Sequence, residues 1–128
     1  MQPRVVVGAA IIAGAKVLAA ARAHPPELAG LWEFPGGKVE PHETETEALY
    51  RECREELGVA IEIGARVGGD LITGGGRFLL RVYRAGIGEG EPEAREHTAL
   101  RWLAADELDD VPWLPGNRPV VETLRELL

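Results

Sequence analysis

The sequence has a single cysteine, Cys53, among its 128 residues. An intrachain disulfide is therefore excluded, and so is a zinc site of the usual multi-cysteine type. Positive charge is in the minority: 14 Lys and Arg stand against 21 Asp and Glu, for a formal charge of −7. A protein that grips a nucleic-acid polymer needs a net basic face, and this chain has no such excess. A nucleotide as a small substrate stays open, because a bound divalent cation reverses the local sign. Internal repeats, low-complexity tracts and long linkers are missing too. The one uncharged, mostly apolar run, Val5 to Ala15, is too short to span a membrane. With Arg4 before it and Ala19-Ala20-Ala21 after it, it has the parts of a signal peptide. Lys16 interrupts it, however, and Gly8 and Gly14 punctuate it as strand and turn positions do. What is present is ordinary globular usage, 45% hydrophobic and 27% charged. The expectation is one domain over residues 1–128, cytoplasmic, monomer or homodimer, with neither membrane nor nucleic-acid polymer as partner.

The pattern along the chain predicts strands at Arg4–Ala13 and Lys16–Ala21, joined by a tight turn at Gly14. A proline-bearing loop follows over His24–Gly30. Leu31–Phe34 is a short extended piece, and Pro35-Gly36-Gly37 marks a sharp turn. Thr44–Leu57 carries helix signals: Thr44 as N-cap with Glu47 three residues on, and Gly58 as the stop. Leu49, Cys53 and Leu57 give that helix a buried stripe. Ala60–Val67, Arg77–Ala85 and Thr98–Leu103 read as strands, with a turn at Gly74-Gly75-Gly76. Ala104–Leu108 reads as a short helix and Arg118–Leu128 as a closing amphipathic one. Strands, a helix, more strands and a last helix imply a mixed α/β or α+β sandwich.

Three glutamates of the first helix, Glu52, Glu55 and Glu56, stand at i, i+3 and i+4 and project from one face beside the apolar stripe. Like charges so placed repel, so something positive belongs among them. Arg51 and Arg54 can supply it, which makes a charged solvated face. A divalent cation with hard oxygen ligands, Mg²⁺ or Mn²⁺, can supply it as well.

The flanking residues decide between the two. Gly37-x5-Glu43-x7-Arg51-Glu52-Cys53-x-Glu55-Glu56-x-Gly58-Val59 resembles the Nudix box, with every glycine, glutamate and arginine in place. Cys53 stands where the family usually has an aliphatic residue, and a buried cysteine is a small hydrophobe. Gly30-Leu31-Trp32-Glu33-Phe34-Pro35-Gly36-Gly37-Lys38-Val39-Glu40 and Trp113-Leu114-Pro115-Gly116-Asn117-Arg118-Pro119 resemble the MutT-type branch, which includes 8-oxo-dGTP diphosphatases and CTP pyrophosphohydrolases. Glu96-His97-Thr98-Ala99-Leu100-Arg101-Trp102-Leu103 extends the similarity to nearly the whole chain.

The resemblance implies a Nudix α/β/α sandwich with a mixed sheet between helices. It also implies Mg²⁺-dependent hydrolysis of nucleoside triphosphates to monophosphate and pyrophosphate, with Mn²⁺ as a possible substitute. It makes Glu52 and Glu56 the leading metal ligands, assisted by Glu55, the Gly36 carbonyl and Glu96. The general base stays open among Glu52, Glu55 and Glu96. Glu43 and Arg51 correspond to an internal ion pair that pins the loop to the helix. Lys38 matches a phosphate contact or is a surface lysine. Arg22 and Arg77 match substrate contacts or are solvated strand-end charges. Phe34 matches an aromatic beside the base, or is core. His24, His42 and His97 lack metal spacing and are expected at the surface.

Asn117 either caps the last helix or touches the base. In the resembling branch, asparagine at this position goes with 8-oxoguanine and aspartate with cytosine. The chemistry is coherent: oxidation at C8 puts a hydrogen on N7 beside the O6 acceptor, and an amide can pair with both. Unoxidised guanine offers two acceptors on that edge. The implied substrate is 8-oxo-dGTP. The alternatives are CTP, dCTP or 5-methyl-dCTP, more broadly ADP-ribose or a dinucleoside polyphosphate, and, from another class, a non-catalytic module that binds 8-oxoguanine.

Overall fold

The computed structural model describes residues 2–128. In chain order the elements are β1 (Arg4–Ala13), β2 (Lys16–Arg22), β3 (Trp32–Glu33), β4 (Gly36–Lys38), α1 (Glu45–Leu57), β5 (Ala60–Thr73), β6 (Phe78–Glu89), β7 (His97–Ala104) and α2 (Arg118–Leu127). Short 3-10 turns occupy Gly74–Gly76, Ala105–Asp110 and Pro115–Asn117. Among the described residues no helix is long and apolar enough to cross a membrane.

The N-terminal apolar run is the central strand. β1 lies parallel to β6 from Arg4 opposite Phe78 to Ile11 opposite Ala85, and antiparallel to β4 at Val6–Gly8. Its far end turns through Gly14, at φ +61°, into β2. β2 carries β3 and β7 antiparallel, and β5 borders β6. A strand with neighbours on both edges and a helix layer over each face must be apolar throughout, which explains the run.

Alternation along β1 sends side chains to two separate cores. Val7, Ala9 and Ile11 join Leu49, Cys53 and Leu57 beneath α1. Ala10 joins Phe34, Trp113, Val120, Val121 and Leu124 beneath α2. The result is an α/β/α sandwich around a mixed sheet. Each fully buried leucine contributes roughly 1.5–3 kcal/mol to it. α1 starts where Thr44 Oγ1 accepts from the Glu47 N–H (3.2 Å) and Glu47 Oε1 accepts from the Thr44 N–H (2.8 Å). It stops at Gly58, whose left-handed φ of +73° closes the last turn.

Four local expectations need correction. Pro35-Gly36-Gly37 is no simple turn, since Gly36–Lys38 runs on as a strand against β1. β5 continues past Val67 to Thr73, with register shifts that absorb the Gly68-Gly69 break. β6 begins at Phe78 and extends past Ala85 to Glu89. The short helix after β7 is of the 3-10 type and runs over Ala105–Asp110 rather than Ala104–Leu108.

Candidate active site

A cleft of about 1090 Å³ opens where β4, the start of β6, the end of β2 and the Pro115–Asn117 turn meet. Glu52 and Glu56 form one wall with Gly36 and Gly37. β4 brings these together by close backbone approach. A Cβ on Gly36 would lie 1.9 Å from the Val7 carbonyl oxygen, and one on Gly37 would lie 2.5 Å from the Glu52 carboxylate. No side chain fits at Gly36, and one at Gly37 would displace the Glu52 carboxylate.

The three glutamates of α1 do not share one environment. Glu56 is 4% exposed and faces Glu52. Burial, the Glu52 hydrogen bond and the charges of Glu52 and Glu33 push its carboxyl up to about 10, against a smaller pull from the Gly36 backbone. Glu55 is half exposed and turned away; it lies 3.4 Å from Arg51 and outside the cleft lining. Glu96, on the loop before β7, is exposed but lines the cleft.

Arg51 ties the cluster together. Its Nε and Nη2 donate to the two Glu43 oxygens at 2.7 and 2.9 Å, and its Nη1 donates to Glu52 at 2.7 Å. Nη2 also donates to the Lys38 carbonyl at 3.3 Å, fastening the β4 loop to α1. The guanidinium holds Glu43 down to about 2. Arg54 does not take part; it lies over the Tyr50 ring. Cys53 is buried behind the carboxylates, and burial and their charge push its thiol far up, which leaves it unreactive.

Asn117 lines the same cleft and is 8% exposed. It is not a helix cap: its backbone is already helical and its side chain bonds no helical N–H. Oδ1 accepts from the Phe34 N–H at 3.2 Å. Reversing the amide would set two donors against each other, so Nδ2 is the group left for a ligand. Phe34 is both core and lining, 4% exposed with its ring centroid 4.9 Å from that of Trp113. Lys38 and Arg77 both line the cleft, and each places its cation 5.7 Å from the centroid of the Phe78 ring. Arg22 lines it too, with Nη1 donating to Glu33 at 2.9 Å.

Two residues here escape the sequence reading. Glu33 was not singled out, although a charge between Trp32 and Phe34 in a short strand calls for a buried partner. His97 contradicts the surface expectation. Its side chain is 5% exposed, with Nε2 at 3.0 Å from Glu33 and 3.7 Å from Glu56. His24 and His42 are exposed, although His24 borders the cleft.

Among the described residues no three His, Cys, Asp or Glu side chains already converge as a metal cage. The donor set nonetheless fits a hard cation. Two facing carboxylates, one of them buried, retain a proton that a divalent ion would displace, and all the donors are oxygens. Arg22, Lys38 and Arg77 line the same cleft, and their charge suits an anionic ligand.

A family model described as NUDIX domain matches residues 2–124. A Mycobacterium tuberculosis protein provisionally named 8-oxo-dGTP diphosphatase 2 is 48% identical over 131 aligned residues, covering 100% of this chain and 92% of its own. The Escherichia coli CTP pyrophosphohydrolase is 39% identical, covering 95% of this chain and 91% of its own. Among solved structures, the crystal structure of a MutT NUDIX hydrolase from Burkholderia pseudomallei superimposes with a TM-score of 0.83 at 39% identity, covering 96% of this chain and 98% of that one.

Proposed function

The chain belongs to the NUDIX domain family and is a Nudix hydrolase, and from that premise we propose that it is a cytoplasmic, single-domain pyrophosphohydrolase that uses Mg²⁺ and prefers 8-oxo-dGTP. The carrying observation is the Glu52–Glu56 pair, with Glu56 buried, in one cleft with the cationic side chains of Arg22, Lys38 and Arg77. Glu52 and Glu56 would hold the ion, with the Gly36 carbonyl, Glu96 and a rotated Glu55 assisting. The ion, when bound, neutralises phosphate oxygens and acidifies a bound water.

The chain's own groups do the rest. Lys38 and Arg77 take phosphate oxygens at the rim, and Arg22 reaches the nucleotide from β2. A carboxylate left free among Glu52, Glu55 and Glu96 accepts the water's proton as oxygen attacks phosphorus. The α–β anhydride breaks, leaving monophosphate and pyrophosphate. At the base, Asn117 Nδ2 donates to O6, and the second lone pair of Oδ1 accepts from the N7 hydrogen that oxidation creates. An outward-facing donor opposes the cytosine amino group. The name of the Escherichia coli relative nevertheless supports CTP as the second reading, with dCTP and 5-methyl-dCTP as its chemical neighbours. A module that binds without hydrolysing has no use for a buried carboxylate pair.

The test is product identity. The protein with Mg²⁺ and 8-oxo-dGTP should release monophosphate and pyrophosphate in equal amounts, and a chelator should stop it. Orthophosphate with diphosphate, or no product from any nucleotide, contradicts the reading.

A further inference from the structure

We propose that His97 is a positioning residue that fixes Glu33 and, through Glu33, sets the place of Arg22 at the nucleoside end of the cleft. The inference rests on the reading of the cleft as a nucleotide site. It concerns His97 and Glu33, to which neither the family match nor the motif assigns a task.

The observations start at the sheet. Arg22 and His97 are cross-strand partners between β2 and β7, and the pairing register shifts between Ala21 and Arg22. Such an irregularity re-aims a side chain, and here it turns both residues toward Glu33 on the neighbouring β3. Glu33 then has both oxygens engaged. Oε1 accepts from Arg22 Nη1 at 2.9 Å, and Oε2 lies 3.0 Å from His97 Nε2. Arg22 is held a second time, its Nε donating to the His24 carbonyl at 3.2 Å. The guanidinium is thus fixed from two sides, and it lines the cleft.

His97 has one productive tautomer. Nε2 faces carboxylates, whereas Nδ1 is buried without a hydrogen-bonding partner among the described residues. The imidazole hydrogen therefore belongs on Nε2 and points to Glu33. The ring has a second effect, because it stands between Glu33 and Glu56, 3.7 Å from the latter. Without it the Glu33 carboxylate could swing toward the metal-binding pair and take Arg22 with it. A ligand-facing cation that is precise only because its counter-ion is pinned makes substrate affinity depend on His97 through Glu33 and Arg22, although the imidazole itself borders the cleft.

The experiment compares substitutions by where they place a donor. His97→Leu keeps bulk and removes the donor. His97→Gln carries an amide hydrogen near the Nε2 position, and His97→Asn places it near Nδ1. For the preferred nucleoside triphosphate, His97→Leu should raise KM about tenfold, as loss of one charge-assisted hydrogen bond would, with a smaller change in kcat. His97→Gln should recover most of that loss and His97→Asn little of it. In an Arg22→Ala background, His97→Leu should alter KM less than about twofold, because the residue it positions is gone. Equal losses in both backgrounds, or Gln no better than Leu at matched melting temperature, would overturn the proposal. A readout without turnover comes from ¹⁵N-labelled histidine. His97 should show the Nε2–H tautomer and respond to Glu33→Gln; an Nδ1–H tautomer, or no response, overturns it. If the wild type hydrolyses no nucleotide at all, the function falls, and this spectrum alone still decides the role of His97.

Discussion

At Asn117 the side-chain amide has its oxygen bonded to the Phe34 N–H at 3.2 Å and its NH₂ left for the ligand. Asn117→Asp keeps an acceptor for Phe34, so thermal stability should hold. It removes the donor to O6, and leaving such a group unpaired costs roughly 1–3 kcal/mol. The ratio of kcat/KM for 8-oxo-dGTP to that for dCTP should therefore fall about tenfold to a hundredfold. A uniform loss on all nucleotides would instead mark Asn117 as structural and move the cytidine reading ahead. The carboxylate pair makes a second prediction at this scale. Glu52→Gln and Glu56→Gln should each lower kcat by well over tenfold, because an amide is a weaker ligand without charge. Melting temperature without metal should stay level near neutral pH, since an amide can keep the hydrogen bond that the retained proton makes between the two side chains. Unchanged turnover in both variants would refute the site.

Among the elements, β4 and α1 form one unit fastened by Arg51, whose donors reach Glu43, Glu52 and the Lys38 carbonyl. Arg51→Ala should lower both melting temperature and kcat/KM, because Glu43 and Glu52 lose their common partner. Collapse of catalysis at unchanged melting temperature would mean that Arg51 touches substrate instead. α1 itself was legible in the sequence, since a helix cap, an apolar stripe and a glycine stop are local signals that need no tertiary knowledge. The pairing of Arg51 with Glu43, eight residues apart, came only with the motif. β5 was cut short because Gly68-Gly69 resembles a strand end, and only the neighbouring β6 shows that pairing resumes beyond it. The burial of His97 is hidden in the sequence for the same reason. Its partner Glu33 lies 64 residues away, and nothing near His97 announces that β2, β3 and β7 will fold it inward. Asn117 was ambiguous as a sequence position, because capping and base contact ask for the same side chain.

For the molecule as a whole, proton linkage gives a measurable signature of the site. Glu56 is raised from its ordinary 4.5 to about 10. The folded, metal-free protein therefore binds more protons than the unfolded chain between those values, and stability declines as pH rises through that window. Glu43 acts in the opposite sense: lowered to about 2, it stabilises above 4.5 and its contribution is lost in acid as pH falls toward 2. Without metal, the melting temperature should drop from about pH 6 to about pH 9, and Glu56→Gln should flatten that slope. Mg²⁺ should restore stability most at the alkaline end, where it no longer competes with the proton. On the proposed reading, an acidic protein of charge −7 would bind an anionic substrate because one cleft gathers Lys38, Arg77 and Arg22 beside the carboxylates of Glu52 and Glu56. The most direct measurement is kcat/KM for 8-oxo-dGTP, dGTP and dCTP with pyrophosphate detected, in Mg²⁺ and in chelator. The expected result is Mg²⁺-dependent pyrophosphate release with 8-oxo-dGTP ahead of the other two. Release that survives chelation, or dCTP ahead of 8-oxo-dGTP, would contradict it.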